Sequence, residues 1–563
     1  MPSLLQELVD TAAQGARDWA ALAAGDRAAL LRQCMPSLQA ASAEWVRFSC
    51  EAKGIDPQSA LAGEEWISGP AVTMRHLRLY AETLEGKHPV EELYRPGVDC
   101  VQVYPSAYLD PLLFPGCRAE VYFQRDGNGA GDGGGDGGGD DDDRGGNGQR
   151  NSIGSQRAVH QPQSLGEGGV AAVLGAGNIN SIPPLDAIYL LLTRNLASIV
   201  KLNPVNDYLQ RHYQRAFAPL MQRGLVQFIC GDHNVAAELI HNPDVSHVHL
   251  TGSEQTYDAV VWNGDPNKVE ATKNSGVKQL DKPVTAELGA VTPVFVVPGP
   301  WSRADLKWQA RHVAGMLAHN TSFNCNAPKL LVTARHWKQH GEFMTQLRAA
   351  MKELAPRSQW YPGVEQRWQA FADRYPQAEV FGDKQWMLVP DVALRVDEYA
   401  CQVEAFCGIL AETSVAAKHP EEFLRIAIPA VNEHVRGSLS CVIIAPSHVQ
   451  RSILRRAISD LNYGAIAVNT WGGAVFGLGQ TSWGAFPGHP ATDIQSGNGE
   501  VHNCLLLDNV QKSILWAPFR PWLRPMYIPG HRRLASVGKG WVNFEAKPSL
   551  MRAFKLGLPA MFP

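Results

Sequence analysis

The feature that most constrains the fold is an alternation of short apolar runs with longer amphipathic runs along residues 168–252. The apolar runs are Val170–Leu174, Ser198–Leu202, Val226–Cys230 and Val245–Leu250, and each one ends in a turn-prone segment. The runs between them have the spacing of helices, as at Asn206–Arg223. Strands that alternate with helices in this way predict a mostly parallel sheet with helices on both faces.

A second series of the same kind begins at residue 289, with strands predicted at Val294–Val297, Leu330–Thr333, Leu439–Ala445 and Ala465–Val468. The sequence therefore predicts an α/β protein with a Rossmann-like domain and a second α/β domain. We assign residues 1–125 and 150–288 to an N-terminal helical region and the first domain, and residues 289–480 to the second domain.

Two segments fall outside this pattern. Residues 126–149 are almost wholly Gly, Asp and Asn, and Ala130 is their only apolar residue, so we expect a flexible surface insertion. The acidic run Asp140–Asp143 lacks the spacing of a calcium loop, and no metal site is predicted. Residues 481–563 are rich in Gly, Pro, Trp and Arg, and we expect an extension that wraps the surface or forms an oligomer contact.

Composition excludes several classes of protein. The chain of 563 residues is 45% hydrophobic and 19% charged, with a net charge of -4, which argues against a nucleic-acid binder. Its ten cysteines show no zinc spacing, so we expect reduced thiols in the cytoplasm or another soluble intracellular compartment. No apolar run approaches the roughly 20 residues of a membrane span, and the acidic N-terminus does not have the layout of a targeting peptide.

Three polar residues stand in settings that suit catalysis. Cys325 lies between two asparagines in a turn-prone segment, where an exposed thiolate can act as a nucleophile. Glu287 lies among apolar residues next to a glycine, where a raised pKa would suit a general base. Asn178 follows a predicted strand, and its amide can donate to an oxyanion. Each also has a purely structural interpretation: a turn cysteine, an exposed glutamate at an element end, and an asparagine turn.

The order of these motifs resembles the aldehyde dehydrogenase superfamily along roughly residues 20 to 490. No single motif is specific, but their common order is. The matching segments are Gly177-Asn178, Lys201-Leu202-Asn203-Pro204, Thr251-Gly252-Ser253, Glu287-Leu288-Gly289-Ala290, Asn324-Cys325, Glu404-Ala405-Phe406-Cys407-Gly408 and Gly464–Asn469.

The resemblance implies a mechanism that the residue chemistry supports. Cys325 would attack the carbonyl carbon of an aldehyde and form a thiohemiacetal. Asn178 and the Cys325 backbone N–H would hold the oxyanion, and Glu287 would activate the water that hydrolyses the thioester. The resemblance also implies that the second domain is the catalytic domain and that the protein is a homo-oligomer.

The resemblance further implies that the first domain binds NAD or NADP. Lys201 would contact the adenosine ribose. The segment Thr251, Gly252 and Ser253 would lie along the cofactor, with Ser253 at the pyrophosphate. Glu404 would contact the nicotinamide ribose, and Phe406 would pack beside it.

Four departures from the family pattern concern the cofactor site. The acidic residue expected after Lys201 is missing, which leaves the choice between NAD and NADP open. Tyr257 replaces a glycine and would put a bulky side chain near the pyrophosphate path. Ala290 replaces the second glycine after Glu287, and Cys407-Gly408 replaces Gly-Pro.

Two other functions stay open. An acylating aldehyde dehydrogenase or fatty acyl-CoA reductase-like enzyme would pass the thioester to coenzyme A and would need no base at Glu287. A catalytically idle scaffold would have no need to retain the three polar residues together. Trp471, Phe476 and Trp483 either line an apolar entrance or serve packing alone.

Overall fold

The computed structural model describes residues 3–88, 90–95, 98–106, 109–124, 165–262, 264–265 and 267–561. The insertion predicted at residues 126–149 lies outside the described residues. The fold is α/β, with a five-stranded sheet, an eleven-stranded sheet and a two-stranded ribbon formed by Trp483–Gly484 and Glu500–His502. We refer to the first two as the small sheet and the large sheet.

The small sheet is parallel throughout, as the alternation of runs predicts. Its strands are, in spatial order, Val226–Ile229, Leu196–Lys201, Gly169–Leu174, His247–Gly252 and Val284–Leu288. The chain first adds Leu196–Lys201 and Val226–Ile229 on one side of Gly169–Leu174. It then adds His247–Gly252 and Val284–Leu288 on the other side. Parallel sheets bind ligands beyond the carboxyl ends of their strands, at such a reversal of order.

Helices connect and cover the strands of the small sheet. They are Leu4–Ala20, Ile182–Arg194, Gln210–Ala216, Ala218–Met221, His233–His241, Glu254–Val261 and Val269–Ser275. The helix predicted over Asn206–Arg223 is broken into three pieces, beginning with the 3-10 turn Asp207–Leu209. Pro219, which has no backbone N–H to donate, accounts for the last break, because it can enter a helix only in the first turn.

The large sheet joins segments that are far apart in the chain. Its strands are, in spatial order, Glu91–Arg95, Val98–Tyr104, Arg118–Phe123, Val510–Trp516, Ala465–Val468, Ser440–Ile444, Thr292–Val296, Pro328–Ala334, Ile409–Val415, Trp386–Val389 and Glu379–Phe381. The strand Val510–Trp516 runs parallel to Ala465–Val468 and antiparallel to Arg118–Phe123. Residues before 125 and after 481 therefore meet inside one sheet.

The remaining helices fall into two groups. Those on the large sheet are Arg303–Ala318, His340–Lys352, Val364–Arg374, Tyr399–Gln402, Pro420–His434, Arg451–Asp460 and Gly472–Leu478. The N- and C-terminal helices are Ala24–Ala52, Ala62–Trp66, Val72–Leu84, Asp110–Leu113, Leu534–Ala546 and Leu550–Met561. No helix in the described part of the chain is long and apolar enough to cross a membrane.

The helix Leu534–Ala546 packs on Val72–Leu84 through buried charge pairs. Glu545 accepts from Arg75 Nη1 and from Arg78 Nε, each at 2.7 Å, and all three side chains are buried. Paired in this way, the buried charges avoid the cost of an isolated ion. A large part of the C-terminal segment, for which surface wrapping or an oligomer contact was predicted, thus packs inside the protein, while its role in an oligomer stays a prediction.

Candidate active site

A cleft of about 1280 Å³ runs from the carboxyl ends of the small sheet to the large sheet. It lies where the strand order of the small sheet reverses. All nine residues that the sequence singled out line this one cleft: Asn178, Lys201, Thr251, Gly252, Ser253, Glu287, Cys325, Glu404 and Phe406. Side chains separated by up to 228 positions in the sequence thus meet around one space.

The segment before Cys325 has an unusual backbone. Asn320, Thr321 and Ser322 have φ values of 50°, 57° and 67°, in the left-handed region that residues with a Cβ rarely adopt. Each such residue costs about 1–2 kcal/mol, so the surrounding structure must hold the segment in place. All three residues are buried.

Buried charges hold the start of this segment. The Asn320 backbone N–H donates to Glu64 Oε2 at 3.0 Å, and Glu64 is paired with Arg357 at 2.8 Å. Lys53 Nζ donates to Asn320 Oδ1 at 3.2 Å and forms an ion pair of 2.8 Å with Glu65. Each ion in this network has an opposite charge beside it, which lets both pairs stay buried and position the loop.

Further contacts hold the residues around Cys325 in place. Lys329 Nζ donates to the carbonyl and the hydroxyl of Ser322, each at 3.2 Å. Thr292 Oγ1 donates to the Cys325 carbonyl at 3.0 Å, and Trp471 Nε1 donates to the Asn326 carbonyl at 2.9 Å. The backbone on both sides of Cys325 is therefore anchored to the large sheet and to the segment that follows Ala465–Val468.

Cys325 and Glu287 are hydrogen-bonded partners. The Cys325 thiol donates to Glu287 Oε1 at 3.5 Å, and Trp483 Nε1 donates to Glu287 Oε2 at 3.0 Å. Burial raises the pKa of Glu287 to about 8, and the charge of Asp186 adds to the rise. Burial, followed by the carboxylates of Glu287 and Glu404, raises the pKa of the Cys325 thiol well above its ordinary value. The thiol can lose its proton only where a base takes it, and Glu287 is placed to do so.

Asn178 is tied to the same loop. Its Nδ2 donates one hydrogen to the Phe323 carbonyl at 3.1 Å, and the backbone carbonyl of Asn178 accepts from Asn320 Nδ2 at 3.1 Å. A second hydrogen on Asn178 Nδ2 is left over. Among the described residues, the Cys325 backbone N–H donates to no backbone carbonyl, and it lies beside the sulfur of its own side chain. These two donors can serve an oxygen that becomes negatively charged next to the sulfur.

Glu404 can offer one carboxylate oxygen as a hydrogen-bond acceptor to a ligand. Its Oε1 is buried and has no hydrogen-bond partner in the part of the chain that the structure describes. Burial raises the pKa of Glu404 to about 7, although the charge of Lys329 acts in the opposite direction. A Cβ at Gly289 would come within 1.8 Å of Glu404 Oε2, so the glycine makes room for this carboxylate. An acceptor of this kind fits the hydroxyl groups of a ribose.

Phe406 is held in an aromatic group beside Glu404. Its ring centroid lies 5.1 Å from that of Tyr361 and 6.1 Å from that of Phe323. Its backbone has a φ of 42°, and Arg367 Nη2 donates to its carbonyl at 3.3 Å. These contacts present the Phe406 ring to the cleft as a flat apolar wall, which suits packing against a ring or a sugar.

The far end of the cleft carries Lys201. This lysine ends the strand Leu196–Lys201 and is 9% exposed, and burial lowers its pKa. Asp232 lines the same end and acts on Lys201 through its negative charge. The acidic residue that is missing after Lys201 in sequence is thus matched in space by a carboxylate from the end of a neighbouring strand.

Thr251, Gly252 and Ser253 form the edge between the two ends. Ser253 caps the helix Glu254–Val261, and its Oγ accepts from the Thr256 backbone N–H at 3.2 Å. Tyr257, which was expected to put a bulky side chain near the pyrophosphate path, does not line the cleft, because it is 3% exposed and packs in a core cluster. The backbone edge stays open for an anion at the N-terminus of the helix.

Several residues that position this site carry no recognisable signal in the sequence. Trp483, considered from the sequence as an entrance aromatic, is buried against Glu287 instead. Lys53, Glu65 and Arg357 were not singled out at all, because their partners are distant in sequence and no local pattern marks them. Trp471 and Phe476 line a different, apolar cavity. No group of three or more His, Cys, Asp and Glu residues in the described ranges is arranged to hold a metal ion.

Comparison with known sequences gives one family match. Residues 208–366 match the model of the aldehyde dehydrogenase family. This stretch includes Thr251–Ser253, Glu287 and Cys325, but it is less than half of the chain. No curated protein sequence matches the chain.

Comparison with solved structures covers nearly the whole chain at low identity. An aldehyde dehydrogenase from Brucella melitensis biovar abortus 2308 has a TM-score of 0.56 and 16% identity over 92% of this chain and 90% of that one. An NAD-dependent aldehyde dehydrogenase from Sinorhizobium meliloti has a TM-score of 0.57 and 14% identity over 92% and 88%. An NADP-dependent enzyme from Escherichia coli has a TM-score of 0.56 and 14% identity over 91% and 89%. Residues 208–366 thus match the aldehyde dehydrogenase family, and the solved structures show that the chain shares the fold of the aldehyde dehydrogenases over most of its length.

Proposed function

We propose that this protein oxidises an aldehyde to a carboxylic acid, with Cys325 as the nucleophile and NAD or NADP as the electron acceptor. The match to the aldehyde dehydrogenase family supports an oxidoreductase that acts on aldehydes. The observation that carries the finer proposal is the 3.5 Å contact between the Cys325 thiol and Glu287, in a cleft that also holds Asn178.

The first step uses the proton that Cys325 shares with Glu287. When Glu287 is in its ionised form, the thiol passes this proton to it, and the sulfur forms a bond to the carbonyl carbon of the aldehyde. The electron pair of the C=O double bond moves to the oxygen. The second hydrogen of Asn178 Nδ2 and the Cys325 backbone N–H donate to this oxygen, which lowers the barrier because both donors are already in place.

The residues around the cleft fit a nicotinamide cofactor. The unpaired Glu404 Oε1 can accept from ribose hydroxyls, and the ring of Phe406 gives the ribose a surface to pack on. The helix N-terminus at Ser253 suits the pyrophosphate, and Lys201 suits the adenosine ribose. When bound, the nicotinamide supplies the two-electron oxidation that turns the thiohemiacetal on Cys325 into a thioester.

The last step releases the acid. Once Glu287 has lost its proton to solvent, it accepts a proton from a water molecule as that water attacks the thioester carbon. The C–S bond then breaks, and the carboxylic acid leaves the restored Cys325 thiolate. A pKa of about 8 makes Glu287 a stronger base than an ordinary carboxylate, because burial disfavours its charged form.

Asp232 supports NAD as the preferred cofactor. Its carboxylate lines the cleft near Lys201, at the end assigned to the adenosine. A negative charge at this position attracts no 2′-phosphate and repels the phosphate of NADP. NADP stays the alternative, since Lys201 would attract the same phosphate.

Glu287 also bears on the two other functions. Transfer of the thioester to coenzyme A requires no water-activating base, so the placement of Glu287 beside Cys325 supports hydrolysis. An idle scaffold would not require the spare donors of Asn178 and Cys325 to face the same space.

The test is NAD(P)H formation with a panel of aldehydes, with and without coenzyme A. We expect turnover without coenzyme A, and we expect Cys325→Ser to abolish it. The matched control is Cys34→Ser, which changes a buried cysteine that donates to the Leu30 carbonyl and does not line the cleft. Turnover that survives in Cys325→Ser would remove the proposed nucleophile, and turnover that depends on coenzyme A would favour the acylating alternative.

A further inference from the structure

A second cavity, of about 240 Å³, reaches the segment that carries Cys325. Asn324 and Asn326 line this cavity, whereas Cys325 between them lines the cleft. Ile179, which follows Asn178, lines the cavity as well. The proposed reacting residues Asn178, Glu287 and Cys325 thus line the cleft that suits a cofactor, and sequence neighbours of Asn178 and Cys325 line a separate cavity that is open to another molecule. We call the second space the apolar cavity.

Carbon atoms form most of the wall of the apolar cavity. Side chains that contribute to it include Val72, Phe114, Ala474, Phe476, Trp541 and Leu556. Its volume is below the roughly 300–1,000 Å³ that drug-sized ligands occupy. A narrow space with such a lining fits a thin hydrocarbon chain better than a branched or polar molecule.

The two charged residues of this lining are both occupied by protein partners. Glu64 accepts two hydrogen bonds from Arg357, at 2.8 and 2.9 Å. Arg524 donates to the backbone carbonyls of Pro529 and Gly530. The charge of Glu64 is therefore not available to a substrate, and burying a sugar, a phosphate or an amino group among the apolar side chains without a partner would be costly.

The C-terminal helix Leu550–Met561 closes one side of the apolar cavity. Ala553, Leu556 and Ala560 line the cavity at the spacing of one helix face. Leu112 lines the cavity and is also 54% exposed, so it marks the mouth. Two small alanines on the helix keep the space open where larger side chains would fill it.

We propose that the substrate is an aldehyde with a long, unbranched aliphatic chain, and that this chain lies in the apolar cavity while its carbonyl carbon reaches Cys325. The inference rests on the proposed function, because it takes Cys325 as the nucleophile. Each buried methylene contributes hydrophobic transfer free energy, which corresponds to about a fourfold gain in binding.

The first test is the chain-length dependence of kcat/KM for linear aldehydes from ethanal to dodecanal. We expect kcat/KM to rise by up to about fourfold for each methylene until the cavity is full. If short aldehydes are oxidised and kcat/KM stays flat or falls with length, the substrate inference is overturned while the proposed function stands.

The second test fills the cavity from its C-terminal wall. Ala553→Phe should lower the ratio of kcat/KM for decanal to that for propanal by at least tenfold. Met551→Phe is the matched control, since Met551 lies on the same helix, is 70% exposed and does not line the cavity. An unchanged ratio in Ala553→Phe, with decanal still preferred, would place the chain elsewhere.

A binding measurement separates this inference from the proposed function. Decanoic acid should raise the Tm of the wild-type protein more than butanoic acid does at equal concentration, because only the longer chain fills the cavity. We expect Ala553→Phe to lose this difference and Met551→Phe to keep it. If no aldehyde is oxidised, the proposed function fails, and the Tm difference still decides whether the cavity binds a chain. An equal Tm shift for both acids, or one that persists in Ala553→Phe, would overturn the inference.

Discussion

Glu287 has two proposed roles in this site, because it takes the proton of the Cys325 thiol and later activates water. It has one oxygen toward the Cys325 thiol and the other toward the Trp483 indole, and it is 2% exposed. The two donors stabilise its charged form, but burial outweighs them and raises its pKa to about 8. A carboxyl group that holds its proton near neutral pH is able both to take a proton and to give one up.

The raised pKa of Glu287 has a consequence for stability. Between the ordinary pKa of 4.5 and about 8, the folded protein keeps a proton on Glu287 that the unfolded chain releases. The contribution of this group to the free energy of unfolding therefore falls as the pH rises through that window. The glutamine in Glu287→Gln has no proton to exchange in this range. We therefore expect the Tm of this variant to rise relative to the wild-type Tm as the pH increases from 5 to 8.

Thermal unfolding at several pH values measures this effect. The free-energy gain for Glu287→Gln at pH 8 can reach about 5 kcal/mol, from the size of the pKa shift. Glu421→Gln, at an exposed position, is the control and should show no such trend. A difference in Tm between Glu287→Gln and wild type that is the same at pH 5 and pH 8 would contradict a raised pKa at Glu287.

Asp232 allows a second test at the scale of one residue. Its side chain caps the helix His233–His241 by accepting from the backbone N–H groups of Asn234 and Val235. Asparagine caps helices about as well as aspartate, so Asp232→Asn removes the charge and keeps the fold. We expect the ratio of kcat/KM for NADP to that for NAD to rise by about threefold to tenfold, the scale of one partly screened charge interaction.

The control for Asp232→Asn is Asp244→Asn, which changes an acidic residue that does not line the cleft. Steady-state kinetics with both cofactors gives the two ratios. A ratio that does not change in Asp232→Asn would mean that Asp232 does not face the 2′ position of the adenosine ribose.

At the scale of elements, the left-handed segment Asn320–Ser322 depends on a helix that is far away in sequence. Lys53 follows the helix Ala24–Ala52, and its ammonium group contacts Glu65 and Asn320. Lys53→Met would leave Glu65 as a buried charge without a cationic partner. We expect a loss of about 3–5 kcal/mol in the free energy of unfolding, the usual cost of breaking a buried ion pair.

The matched control for Lys53→Met is Arg47→Met, on the same helix. Arg47 and Glu51 form an ion pair in which both side chains are about half exposed, and such pairs contribute less than about 1 kcal/mol. Urea denaturation measures both variants. If the two variants lose similar stability, the charge network at Lys53 does not support the loop before the nucleophile.

Some strands of this fold can be predicted from the sequence and others cannot. Apolar runs such as Val170–Leu174 predict strands correctly, because a strand buried on both faces has to be apolar along its length. The strand Val510–Trp516 was not predicted, since Gln511, Lys512 and Ser513 interrupt its apolar pattern. Lys512 is nevertheless buried, with its ammonium group donating to three backbone carbonyls. Contacts of this kind depend on tertiary structure and leave no mark in the local sequence.

For the whole molecule, the two series of strands predict two α/β units, and the motifs predict which residues approach the gap between them. The nine predicted residues line one cleft because parallel strands of both sheets end there. The partners that hold them could not be predicted. The Trp483 indole reaches Glu287 across 196 positions and Arg357 reaches Glu64 across 293, distances at which spacing carries no information.

The cleft and the apolar cavity are two separate spaces, for which we propose two different ligands, the cofactor and the substrate. Asn324 and Asn326 line the apolar cavity and Cys325 lines the cleft, so one short segment contributes to the walls of both spaces. The C-terminal helices complete the wall of the cavity, and the N-terminal helices complete the support of the loop. Residues from both ends of the chain thus act on one cysteine near its middle.

The most direct measurement of the central claim is mass spectrometry of the Glu287→Gln variant after reaction with an aldehyde and NAD. In this variant the thiol has to lose its proton to solvent, so acylation of Cys325 should be slower than in the wild type. The thioester should nevertheless persist once it has formed, because no base activates water, and peptide mapping after long incubation should place one acyl group on Cys325. Wild-type protein should carry the adduct only transiently. An acyl group on a different residue, or turnover by Glu287→Gln at the wild-type rate with no adduct, would contradict a mechanism built on Cys325 and Glu287.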